Sequence, residues 1–111
     1  MEPRRDVFQA IADPTRREII SLLARTPANV NDIAAHFDMS RQAVSLHVKI
    51  LEECGVLDVV RAGRERRCSV RPEKFTEVHD WLEPLRKMWE VRFEQLDDVL
   101  QKLKTTKPRN S

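Results

Sequence analysis

Glycine is almost missing from this chain: Gly55 and Gly63 are the only two in 111 residues. That excludes a glycine-rich phosphate loop, and it leaves everything after position 63 without a flexible break. Tyrosine is absent and aromatics make up 5% of the residues, so large rings dominate neither core nor interface. The two cysteines, Cys54 and Cys68, lack the CxxC spacing of a zinc or thioredoxin-like site. In a chain without a leader they are expected to be reduced thiols. No run approaches the roughly 20 apolar residues of a membrane span, and MEPRRDVF is followed by no apolar stretch of the secretory kind. The net charge of +2 is too close to zero to identify a partner; distribution matters more. There is also no clustered acid–base pair and no nucleophile with a partner nearby, which argues against an enzyme. The expectation is a soluble cytoplasmic protein with no catalytic residues, no cofactor, no metal and no membrane partner.

Charge is plentiful, at 34% of residues, and it is placed unevenly. The stretch SRQAVSLHVKILEECG, Ser40 to Gly55, opens on a hydroxyl suited to capping a helix. It closes on the residue type that follows helix ends in a left-handed conformation. Val44, Val48 and Leu51 form one apolar stripe, while Arg41, Gln42, Ser45 and Lys49 lie opposite. Just before it, Asn29 with Asp32 resembles a capping box, and Val30, Ile33, Ala34 and Phe37 mark a short bracing helix. Two short helices joined by three or four residues make a helix-turn-helix.

Further upstream, Val7, Phe8 and Ile11 fit a first helix over Pro3 to Ala12. Asp13-Pro14 then starts a second, with Ile19, Ile20, Leu22 and Leu23 on its apolar face and Thr26-Pro27 at its end. Downstream of Gly55 the period changes. Residues 56–60 read as a strand, Ala62-Gly63-Arg64 as a hairpin turn, and Glu65 to Val70 as the return strand. Arg61, Arg64, Arg66, Arg67 and Arg71 oppose a single acid there, Glu65. From Pro72 the chain is helical again, and Pro84 is either the first turn of a new helix or a kink; the favoured reading is a short helix to about Trp81 and a longer one from Pro84 to Lys102. The expected architecture is mainly α with a two-stranded β-hairpin wing. Residues 1–104 are expected as one domain, with 105–111 a disordered polar tail.

Together, AIADPTRREIISLLA, SRQAVSLHVKILEECGVL and the order of elements resemble the ArsR family of bacterial winged helix-turn-helix repressors. The family's Val-Ser-x-His-Leu and later Gly-Leu-Val are matched here by Val44, Ser45, His47, Val48, Gly55, Val56 and Leu57. The match is good from about Asp6 to Val70; the C-terminal helices share only their apolar, helical character. The resemblance implies a homodimer through the first and last helices, and the bottom-up reading agrees, because so small a core cannot cover so apolar a last helix. The residues expected at that interface are Val7, Phe8, Ile11, Leu85, Trp89, Leu96 and Leu100.

Double-stranded DNA is the expected partner. Ser40, Arg41 and Gln42 open the recognition helix; Arg suits a guanine edge and Gln an adenine edge. Ser45 suits a phosphate or a base, and Lys49 a phosphate. Leu46 is open between contact with a thymine methyl and a partly buried shoulder. His47 reads as a packed, hydrogen-bonded core histidine. In the wing, Arg64, Arg66 and Arg67 read as contacts to backbone or minor groove, and Arg16 and Arg17 as a solvated face. The resemblance implies metal sites in some relatives, but NVNDIAAHFD has no cysteine and His79 no second histidine downstream, so a metal sensor of those kinds is rejected. The leading expectation is a sequence-specific regulator, a repressor that binds an inverted repeat as a homodimer. The alternatives are a winged-helix protein-interaction module and a thiol-responsive repressor using Cys54 and Cys68. No effector is named by the sequence.

Overall fold

A computed structural model describes residues 5–106. They fall into two compact units, one up to Val78 and one from His79 on.

The first unit begins with α1 (Val7–Ala10), shorter than the sequence predicts because Asp6 caps it, its carboxylate accepting the Gln9 amide at 2.9 Å. The expected first turn at Pro3 lies outside the described residues. Next, α2 (Pro14–Arg25) starts as predicted: Asp13 accepts the Arg16 amide at 3.1 Å, and Pro14, which has no N–H to leave unsatisfied, takes the first helical position. Arg16 is not solvated, contrary to expectation. It is 7% exposed, and it donates from Nε to the Ala10 carbonyl at 3.0 Å and from Nη2 to the Gln9 carbonyl at 2.9 Å. Arg17, which is exposed, donates to the Ile11 carbonyl at 2.7 Å. The two guanidiniums supply donors to carbonyls at the end of this short helix, of which Gln9 also accepts the Ala12 amide.

Two residues, β1 (Ala28–Asn29), lead directly into α3 (Val30–Ala34), whose N-cap Asn29 accepts the Asp32 amide at 2.8 Å. This helix ends before Phe37. The His36 and Phe37 amides reach only three residues back, to Ile33 and Ala34, so the connection to the next helix is longer than predicted. Then α4 (Arg41–Glu53) begins at Ser40, whose hydroxyl accepts the Ala43 amide at 3.1 Å. Its end is a Schellman motif. The Gly55 amide bonds the Glu52 carbonyl and the Val56 amide the Leu51 carbonyl, with Gly55 at φ +82°. Val56 and Leu51, both fully buried, supply the apolar contact that accompanies such an end.

The wing is β2 (Leu57–Ala62) and β3 (Glu65–Val70), paired antiparallel from Leu57↔Val70 to Ala62↔Glu65. Gly63 at φ +62° followed by Arg64 at negative φ is the pattern of a two-residue II′ turn. Instead of a hairpin alone there is a three-stranded sheet in the order β1-β3-β2, because β1 pairs with β3 through Ala28↔Cys68 and Asn29↔Arg67. The predicted stripe Val44, Val48 and Leu51 is buried to 1% exposure or less. It meets Ile19 and Leu23 of α2, Ile33 of α3, and Val56, Leu57 and Cys68. A 3₁₀ turn (Pro72–Phe75) follows the sheet, and Phe75 and Val78 pack against this core.

Finally, α5 (Thr76–Thr106) is one helix, not two. Pro84 lies inside it and removes one backbone donor. Side-chain links cross the same turns: Arg86 pairs with Glu83 at 2.6 Å and Glu90 at 2.5 Å, and His79 Nε2 lies 3.4 Å from Glu83. The helix takes in the start of the expected tail, and positions 107–111 lie outside the described residues. No helix among the described residues is long and apolar enough to cross a membrane.

Candidate nucleic-acid interface

The first turns of α4 present Ser40, Arg41, Gln42 and Lys49 to solvent, with Ser45 half-buried. This follows from the stripe. Once Val44, Val48 and Leu51 are buried, the helical period leaves the donors on the far side. Leu46 is 60% exposed, an apolar side chain among donors. Arg41 donates from Nε to Oδ1 of Asn31 on α3. Its two Nη groups remain available for a bidentate contact.

The cross-strand register sorts the wing arginines. Arg61 and Arg66 are direct partners and share one face, with Val59↔Cys68 and Leu57↔Val70 continuing it into the core. Arg67, opposite Val60, lies on the other face, and Arg64 is in the turn. Glu65 accepts from Asn29 Nδ2 at 3.4 Å. Among the described residues, Arg61, Arg64 and Arg67 make no ion pair with an acidic side chain. Two residues expected to meet DNA separately also meet each other: Arg66 Nη2 donates to Ser45 Oγ at 2.6 Å. Neighbours 21 positions apart in the chain leave no local pattern, so sequence reasoning had no signal for this pair.

The thiols are not disposed for sensing. Cys68 is fully buried and Cys54 is 8% exposed. Burial pushes both above the ordinary thiol range, and for Cys68 it outweighs the opposing charge of Arg66. A reactive thiolate needs the opposite shift. His47 is half-buried, but its Nδ1 has no hydrogen-bond partner among the described residues, which departs from the expected satisfied histidine. Burial acts to raise the carboxyl pKa of Asp13, yet the Arg16 amide and the charges of His47 and Arg16 hold it below its usual value.

The residues expected at a subunit interface divide in two. Val7 is part of the chain's own core at 3% exposure, and Phe8 and Ile11 are half-buried against their surroundings. On α5, Leu85 is half-buried, whereas Trp89, Leu96 and Leu100 are each close to half exposed. Met88, Phe93 and Val99 are also exposed there.

The chain is similar to known proteins. The pattern of the bacterial regulatory protein, arsR family, matches residues 13–59. Transcriptional repressor SdpR of Bacillus subtilis (strain 168) is 35% identical over 77 residues, covering 69% of this chain and 86% of that protein. The probable mercury resistance operon repressor of Streptomyces lividans is 33% identical over 63 residues, covering 57% of this chain and half of the repressor. Among solved structures, the ArsR family transcriptional regulator RHA00566 is 41% identical with a TM-score of 0.67, covering 75% of this chain and 86% of that one. With a capped recognition helix, an arginine wing and these relatives, the chain belongs to the ArsR family of bacterial transcriptional regulators.

Proposed function

We propose that this DNA-binding regulator is a repressor that binds an inverted-repeat operator as a homodimer, without a metal ion. The observation that carries the reading is the solvent-facing first half of α4, where Arg41, Gln42, Leu46 and Lys49 stand exposed beside the wing arginines. Arg41 and Gln42 have the chemistry for base edges, and Leu46 that for a thymine methyl. Ser40, Ser45 and Lys49 supply donors for phosphate or sugar, and Arg64 and Arg67 supply affinity through phosphates. The two compact units then act as one DNA-binding and dimerisation domain in the cytoplasm.

A second copy is the natural cover for α5, whose exposed Trp89, Leu96 and Leu100 exceed what a solvated helix usually shows. Two-fold symmetry would repeat the recognition helix in successive major grooves, about 34 Å apart. Independence from metal is read from the donor residues in the sequence: NVNDIAAHFD has no cysteine and His79 no second histidine downstream. The name of the Streptomyces relative concerns mercury, but the two thiols here are buried.

Base and phosphate roles are separable by mutation. Arg41→Ala should relax sequence preference, costing roughly 1–3 kcal/mol on the preferred duplex and much less on mixed-sequence DNA. Arg64→Ala should weaken both alike. Anisotropy titrations at a fixed salt concentration measure this, and equal losses on both duplexes for both variants would sink the division.

A further inference from the structure

We propose that Arg66 is a positioning residue, which latches the wing to the recognition helix through Ser45, and that its cross-strand partner Arg61 takes the DNA phosphate on that face. The inference rests on the DNA-binding reading above and assigns roles within it.

Three observations lead there. First, the Arg66 Nη2 to Ser45 Oγ contact, at 2.6 Å between two half-buried side chains, is a side-chain hydrogen bond between wing and recognition helix, added to the apolar packing beneath it. A bond from a charged donor is stronger than a neutral one, so this guanidinium is partly committed before DNA arrives. Second, the register sets Arg61 directly opposite Arg66 on the same face of the sheet. Like charges in that position repel. Engaging Arg66 on a hydroxyl relieves none of that charge, whereas an anion beside Arg61 would. Arg61 is exposed and makes no ion pair among the described residues, so it is the member of the pair that can move to a phosphate. Third, Ser45 accepts from Arg66 and still keeps its own O–H to donate. The latch therefore orients the Ser45 hydroxyl without consuming it, and it fixes the wing relative to the helix that reads bases.

The test is the salt dependence of binding. Association of the full chain with a mixed-sequence duplex, long enough for two half-sites, is measured over a range of salt concentrations. Wild type is compared with Arg61→Ala, Arg66→Ala, Arg66→Gln and Ser45→Ala. One lost phosphate contact lowers the slope of log affinity against log salt by about 0.9. The proposal expects that loss for Arg61→Ala and a slope close to wild type for Arg66→Ala. It also expects Arg66→Ala and Ser45→Ala to be non-additive, and Arg66→Gln, which keeps an N–H donor but no charge, to retain more affinity than Arg66→Ala. A slope loss of about 0.9 for Arg66→Ala, additive with Ser45→Ala, would overturn it.

A second arm needs no DNA. In the free protein, Ser45→Ala should shift the Arg66 side-chain nitrogen resonances and leave those of Arg64 and Arg67 in place; unchanged Arg66 resonances would remove the latch. A wild-type chain with no salt-dependent binding would count against the DNA-binding reading, and the resonance arm would still decide the latch.

Discussion

Arg16 closes the end of a helix only four residues long, and it does so from a buried position with two charge-assisted bonds to carbonyls. Replacing it with Met keeps the apolar stem but removes the donor to the Ala10 carbonyl and one of two donors to the Gln9 carbonyl, which also accepts the Ala12 amide. Hydrogen bonds to charged groups are worth about 1.5–3 kcal/mol each, and the exposed edge of the site allows water to replace part of that. Arg16→Met should therefore destabilise the fold by about 2 kcal/mol in denaturant titration, while Arg17→Met, at an exposed bond, should cost well under 1 kcal/mol. Equal costs would contradict the assignment. Asp13 adds a pH dependence. Its folded pKa is lowered, so its contribution is fully present above the unfolded value of about 3.9 and is lost as pH falls through the lower folded value. Asp13→Asn keeps a capping oxygen without a charge. Melting temperature should fall more steeply below about pH 4 in wild type than in this variant; parallel curves would count against the cap's charge. Neither arginine's role was legible in the sequence. Adjacent arginines on a helix look alike until α1 folds back over one of them. The caps at Asp13, Asn29 and Ser40 were legible, because a cap is chemistry between residues three apart.

At the scale of elements, the stripe of α4 dictated both its buried side and its donor side, since one helical period fixes both. Three features escaped for distinct physical reasons. The strand β1 is two residues long and is created by pairing with β3, so no alternation exists to reveal it. The shared face of Arg61 and Arg66 was implicit in the alternation, but the bond to Ser45 needed the packed positions of helix and sheet. Pro84 is compatible by local rules with a break or a kink, and α5 runs through it, with Glu83, Arg86 and Glu90 linked across the turns that the lost donor weakens. The apolar surface of α5 leads to a prediction at this scale. Leu96→Asp, on an exposed helix position, should leave the unit up to Val78 folded by circular dichroism while converting a dimer to a monomer in sedimentation equilibrium. A wild-type monomer at micromolar concentration, or a variant that still dimerises, would remove α5 as the interface.

For the whole molecule, the proposed function depends on presenting two copies of one short helix at a fixed spacing. A single reader with two or three base contacts distinguishes few sequences. Pairing doubles the contacts and adds spacing as a criterion. The fold serves this by placing the core behind α4 and the arginines beside it, which is why composition alone, with a net charge of +2, says so little about the partner. The most direct measurement is selection of bound duplexes from a random pool by the full chain at a stated salt concentration. The account predicts enrichment of an inverted repeat whose half-site centres lie about one helical turn, or a multiple of it, apart. Enrichment of a single unpaired half-site would contradict the dimeric reader, and no enrichment at all would contradict sequence-specific binding.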